Sequence, residues 1–156
     1  MITKKLIGYN YSGRNGEAIK YIVVHDTGNP SRGAGAENHC LYFNKPGRNA
    51  SAHYFVDSRE TLQLVEDHNS AWHCGDGKGR FGITNRNSIG IELCINIDGD
   101  WELTKKRGID LIRYLLMKHD LPKDRVVRHY DASLKSCPGK MSAMGWREWT
   151  RFYDEI

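Results

Sequence analysis

The stretch Ser88-Ile89-Gly90-Ile91-Glu92-Leu93-Cys94-Ile95-Asn96-Ile97 carries the clearest pattern in the chain. Apolar residues alternate with small or polar ones, which is the period of a β-strand. The reading is a strand over 88–97. Ile89, Ile91, Leu93, Ile95 and Ile97 share one face, while Gly90, Glu92, Cys94 and Asn96 share the other. The first face is pure core. The second is small or polar and suits the floor of a site.

Upstream, YIVVH at 21–25 and AHYFVD at 52–57 read as strands, and TLQLV at 61–65 alternates apolar and polar residues. Only SRE separates the last two, so they are expected to form a hairpin. AENHCLYFNK at 36–45 suits a helix with Cys40, Leu41 and Phe43 toward the core. Downstream, Ile109, Ile112, Leu115 and Leu116 give a helical stripe over 104–119, with Thr104 as the expected N-cap. Residues 125–127 read as a short strand and 128–140 as irregular. The C-terminal helix places Trp146, Trp149, Phe152 and Tyr153 on one face. Residues 1–20 read as irregular. Strands interleaved with helices predict an α/β fold, one domain over 1–156, with a central mixed sheet flanked by helices.

Composition narrows the class. At 39% hydrophobic and 27% charged residues, a chain of 156 residues can bury a core and is neither disordered nor collagen-like. The net charge of +4 is too small and too scattered to predict nucleic-acid binding. No apolar run is long enough to span a bilayer, and the first twenty residues lack a signal peptide's apolar core. Synthesis in the cytoplasm is therefore expected, with a monomer favoured and no membrane partner. The four cysteines, Cys40, Cys74, Cys94 and Cys137, contain no CxxC pair and are expected as mostly free thiols, with Cys74 the one placed for exposure.

Seven histidines raise the question of a metal. His25 ends a strand that opens into a Gly-rich loop. His129 and Cys137 lie eight positions apart in one irregular segment. With His25 they would form a three-ligand zinc site that keeps one position open for water. The plain alternatives are a capping His25, a surface His129 and a buried Cys137. A rival set, His68, His73 and Cys74, suffers from geometry, because adjacent residues in an extended segment point apart. Glu92 is expensive to bury unless it is paired or functional. A salt bridge and a general base beside an activated water both fit its position. Trp72, His73 and the glycines at 75–79 are candidates for the wall of a groove, and a plain connecting loop fits them equally.

YIVVHDTG at 21–28, SAHYFVD at 51–57, SIGIELC at 88–94 and RHYDASLKSCPG at 128–139, with AWHCGDG between the second and third, occur in the order of one family. From about residue 20 onward the chain resembles the zinc-dependent N-acetylmuramoyl-L-alanine amidases of the phage endolysin type, which share their fold with peptidoglycan recognition proteins. The resemblance implies one zinc ion held by His25, His129 and Cys137. It also implies catalytic roles for Glu92 and Lys135, and a peptidoglycan groove bordered by His53 and His73. It further implies cleavage of the amide between N-acetylmuramic acid and L-alanine. Some relatives carry a catalytic tyrosine where this chain has Ala52. Tyr54 falls on the other face of its strand, so Glu92 is expected to bear more of the proton transfer. The competing expectations are a non-catalytic peptidoglycan-binding module of the same fold, which typically lacks the cysteine, and a structural zinc domain. No cell-wall-binding module is expected within 1–156.

Overall fold

The computed structural model describes residues 1–156. Its centre is a six-stranded mixed sheet in the order β1-β5-β4-β7-β3-β8. The strands are β1 (Ile2–Lys4), β3 (Tyr21–Asp26), β4 (Tyr54–Val56), β5 (Thr61–Gln63), β7 (Ser88–Leu93) and β8 (Val126–Arg128). β4 and β5 form the expected hairpin, with Tyr54 opposite Gln63. Every other pairing in this sheet is parallel. A separate two-stranded ribbon joins β2 (Tyr11–Gly13) to β6 (Asn69–Ala71).

Period-2 alternation sorts the sheet's side chains into two layers. Ile22 and Val24 of β3, with Ile89, Ile91 and Leu93 of β7, face α2 (Trp101–Lys118) and α4 (Ala143–Asp154). They meet Ile109, Ile112 and Leu115 of α2 and Trp149 and Phe152 of α4 in one buried cluster. The opposite face packs Phe55, Leu62 and Leu64 against Ala36 and Cys40 of α1 (Ala36–Phe43). β3 and β7 therefore send His25 and Glu92 away from the α2/α4 layer. α3 (His129–Ser133) follows β8 without a break.

Several expectations are corrected. Residues 1–20 are not irregular throughout: β1 adds to β5 and β2 pairs with β6, and Arg14 is buried. The Ser88 strand stops at Leu93. Beyond it Ile97 is 74% exposed, so the alternation outlasts the sheet. α2 starts three residues before Thr104. Asp100 is the cap, its Oδ1 accepting from the Leu103 N–H at 3.0 Å, and Thr104 Oγ donates back to the Asp100 carbonyl. The 128–140 segment contains α3. Left-handed backbone at Met144, Gly145 and Trp146 breaks the first turn of α4. Trp146 still packs, partly buried, against the cluster that holds Trp149 and Phe152, and it also packs on Arg128 and Tyr130. Leu41 points to solvent, whereas Cys74 is fully buried. All four cysteines are free.

Candidate metal centre

Parallel register brings the first pair together. His25 on β3 is the direct neighbour of Glu92 on β7, one residue before the end of each strand. Nδ1 of His25 lies 4.0 Å from Oε1 of Glu92. The C-terminal edge of parallel strands is where sheet-borne sites assemble, because loops diverge there and leave a crevice.

The other two donors arrive on the segment after β8. α3 begins at once because Asp131 caps it: its carboxylate accepts from the Arg128 backbone N–H at 2.8 Å and from the Arg128 guanidinium. This sets His129 on the first turn, buried. Leu134 in the left-handed region ends the helix. The chain then turns back so that the Cys137 carbonyl accepts from Tyr130 N–H at 3.0 Å. The Lys140 N–H donates to Asp26 Oδ2 at 2.6 Å, tying the turn to the end of β3. One donor atom each from His25, His129 and Cys137 falls within 4.8 Å of the others, and all three residues are buried.

The donor set fits a zinc ion. Imidazole nitrogen and thiolate sulfur are its preferred ligands, and tetrahedral coordination separates ligand atoms by roughly 3.3–3.8 Å. His25 Nδ1 and Cys137 Sγ are 3.8 Å apart. Nδ1 of His129 is buried with no hydrogen-bond partner, while its Nε2 is engaged by Asp76 Oδ1 at 2.8 Å. An orphaned ring nitrogen beside a thiol and a second imidazole is a donor awaiting an acceptor. The electrostatics agree. Burial, with the charges of His129 and Lys135, pushes His25 well below the usual histidine range, so it is neutral as a ligand must be. Burial and Glu92 push the Cys137 thiol up to about 12. Burial and then Asp26 hold Glu92 well above the ordinary carboxylate range. A cation held at this point would oppose both of those last shifts, as the Lys135 charge already does in part.

The remaining expected residues fall in different places. Lys135 is exposed on the rim, close enough for its charge to act on His25, Glu92 and Cys137. His73 lies directly behind His25, its Nδ1 3.0 Å from His25 Nε2. Its ring rests on Gly90, where a Cβ would come within 2.5 Å of His73 Cγ. His53 does not border a groove as expected: it is fully buried, accepts from the Gly90 N–H on Nδ1 and faces the Asn69 carbonyl with Nε2. Burial and Arg14 hold its pKa down to about 3. Trp72 is half-buried and its indole N–H donates to Ser12 Oγ on β2, 3.2 Å away. The rival metal set is not assembled. His68 is exposed, and Cys74 Sγ turns to Ser88 within an apolar cluster. The Tyr54 hydroxyl donates to Asp67, on the α2 face of its strand.

Three residues of this region were not foreseen. Asp76 orients His129 from the glycine-rich loop, and Gly77 beside it lets that loop close on α3, where a Cβ would sit 2.1 Å from the Ala132 carbonyl oxygen. Ser88 contacts His73 Nε2 at 3.1 Å. Buried Arg14 donates to the carbonyls of Asp67, Arg86 and Ser88, stitching the N-terminal segment to the back of the site. The one available signal was Asp76, an acidic residue between glycines.

Comparison with known proteins gives a consistent result. A family profile described as N-acetylmuramoyl-L-alanine amidase matches residues 15–140. The chain is 39% identical over 142 residues to N-acetylmuramoyl-L-alanine amidase CwlH of Bacillus subtilis, covering 90% of this chain and 56% of that protein. It is 37% identical to N-acetylmuramoyl-L-alanine amidase XlyA of the same organism, covering 90% of this chain and 47% of that one. The chain thus spans about half the length of these curated relatives. The solved catalytic domain of XlyA superposes with a TM-score of 0.88 at 35% identity, over 100% of this chain and 99% of that domain.

Proposed function

The chain belongs to the N-acetylmuramoyl-L-alanine amidase family, and on that premise we propose that it is a zinc-dependent peptidoglycan hydrolase. Its reaction is hydrolysis of the amide between the lactyl group of N-acetylmuramic acid and L-alanine of the stem peptide. The observation that carries this reading is the buried His25–His129–Cys137 donor set, with the partnerless His129 Nδ1 inside it and Glu92 beside it.

When bound by those three residues, zinc supplies Lewis acidity to water and to the scissile carbonyl. The protein groups do the rest. Glu92 Oε2 is buried without a partner, and a cation held by the three donors would lower its raised pKa so that it can take a proton. Glu92 removes one proton from the attacking water and returns it to the leaving amine of L-alanine. The Lys135 ammonium on the rim faces the charge that develops on the carbonyl oxygen. His73 and Asp76 hold the two donor rings from behind.

Membership of the family supports a substrate in the bacterial cell wall. No helix of the chain is long and apolar enough to cross a membrane. The reading extends to a phage or prophage endolysin-type catalytic domain, monomeric and acting on the wall after release.

The test is mass spectrometry of purified peptidoglycan digested with the protein, with and without a zinc chelator. The expected products are stem peptides with a free L-alanine amine, lost under chelator. New reducing sugar ends would replace this reading with a glycosidase. No release from walls of several chemotypes would point to a binding module.

A further inference from the structure

Behind His25 runs a chain of polar contacts that passes through the partly buried His73 to the fully buried Ser88. His25 Nε2 meets His73 Nδ1 at 3.0 Å, and His73 Nε2 meets Ser88 Oγ at 3.1 Å. Ser88 Oγ in turn meets the backbone carbonyl of Thr84 at 2.5 Å. Ser88 has no exposed surface, and the His73 ring is held against Gly90.

The direction of this chain follows from its last member. A carbonyl oxygen only accepts. The single Ser88 hydroxyl hydrogen therefore points to Thr84, leaving Ser88 Oγ as an acceptor toward His73. His73 must then carry its hydrogen on Nε2 and accept on Nδ1. His25, facing that Nδ1, must carry its hydrogen on Nε2. Its Nδ1 is left with a free lone pair, and this is the nitrogen 3.8 Å from Cys137 Sγ. The opposite tautomer would set two hydrogens against each other or leave a polar group unpaired.

From this geometry we propose that His73 and Ser88 are positioning residues that fix the tautomer of His25 and present its Nδ1 to the metal. The proposal rests on the zinc reading above. It gives His73 a role behind the site rather than in the wall of a groove. The two histidine donors are held differently: His129 by a carboxylate, Asp76, and His25 by a neutral relay that ends on backbone.

The experiment is a zinc competition titration against a chromophoric chelator, on wild type, H73L, H73N and S88A. It is combined with long-range proton–nitrogen spectra of the histidine rings in zinc-free wild-type protein. H73L keeps apolar bulk and loses the acceptor, so zinc binding is expected to weaken 10–100-fold. H73N puts an amide oxygen where Nδ1 was and is expected to restore most of that loss. S88A is expected to lie between H73L and wild type. The spectra should show His25 protonated on Nε2. H73L and H73N binding zinc equally would overturn the proposal, because the ring would then only pack. His25 protonated on Nδ1 in wild type would overturn it as well, without any metal in the tube. If H73L does not fold, S88A and the wild-type spectra decide. A wild-type chain that binds no zinc would sink the metal reading itself, and the metal-directed part of this proposal with it.

Discussion

Oδ1 of Asp76 lies 2.8 Å from Nε2 of His129, so a half-exposed carboxylate on a glycine-rich loop sets the ring of a buried donor. Replacing Asp76 with alanine removes that hold and leaves the donor in place. Zinc affinity is expected to fall 10–100-fold, with the circular dichroism spectrum unchanged. Wild-type affinity in the variant would show that packing alone orients His129.

Glu92→Gln separates proton transfer from metal binding. The side chain keeps its shape and loses its basicity. Zinc stoichiometry by elemental analysis should stay at the wild-type value, while turnover on peptidoglycan drops by roughly 10²–10⁴. Unchanged turnover would remove Glu92 from the reaction.

Cys137→Ser tests the donor set through stability. A ligand that binds only the folded state raises the melting temperature. Wild-type protein should melt lower in the presence of a chelator. The Cys137→Ser variant should melt at nearly the same temperature with and without it, because the hydroxyl is a poor zinc ligand. A chelator shift as large as that of wild type would rule out the sulfur as a ligand.

Far from the site, Asp67 ties the end of α2 to the β4–β5 hairpin. Its carboxylate accepts from Tyr54 at 2.7 Å, Lys118 at 2.7 Å and His119 at 2.9 Å. Burial alone would raise its pKa, but the hydrogen bonds from Lys118, Tyr54 and His119 hold it below the ordinary value of 3.8. A carboxyl whose folded pKa is depressed contributes stability that is complete above 3.8 and disappears as pH falls below it. Asp67→Ala should therefore cost about 3 kcal/mol at pH 7 by urea denaturation. The gap between variant and wild type should narrow toward pH 3. A pH-independent gap would mean that the cost is packing and not charge.

What could be seen in the sequence depended on how locally each feature is determined. His25 and Glu92 were legible because strand alternation fixes a side chain's face without reference to the rest of the chain. The hairpin was legible from a three-residue linker. The short strands β1 and β2 were not. Each has three residues, and most of these are exposed, so they exist through partners some sixty residues away. The start of α2 was misplaced because Asp100 and Thr104 are both competent caps, and only the fold decides between them. His73 was seen as a groove residue because its neighbours are glycines. Its real surroundings, His25, Gly90 and Ser88, come from two other strands. Nothing in the sequence Gly75-Asp76-Gly77 tells that the His129 ring lies across from Asp76.

The contact between His25 and Cys137 joins residues 112 positions apart. The last donor is therefore synthesised 112 residues after the first. β3 can pair with β7, setting His25 beside Glu92, before His129 and Cys137 have been made. A chain made only as far as β8 lacks two of the three donors proposed for zinc. For the proposed hydrolase, the long loop closure acts as a delay written into the order of the residues.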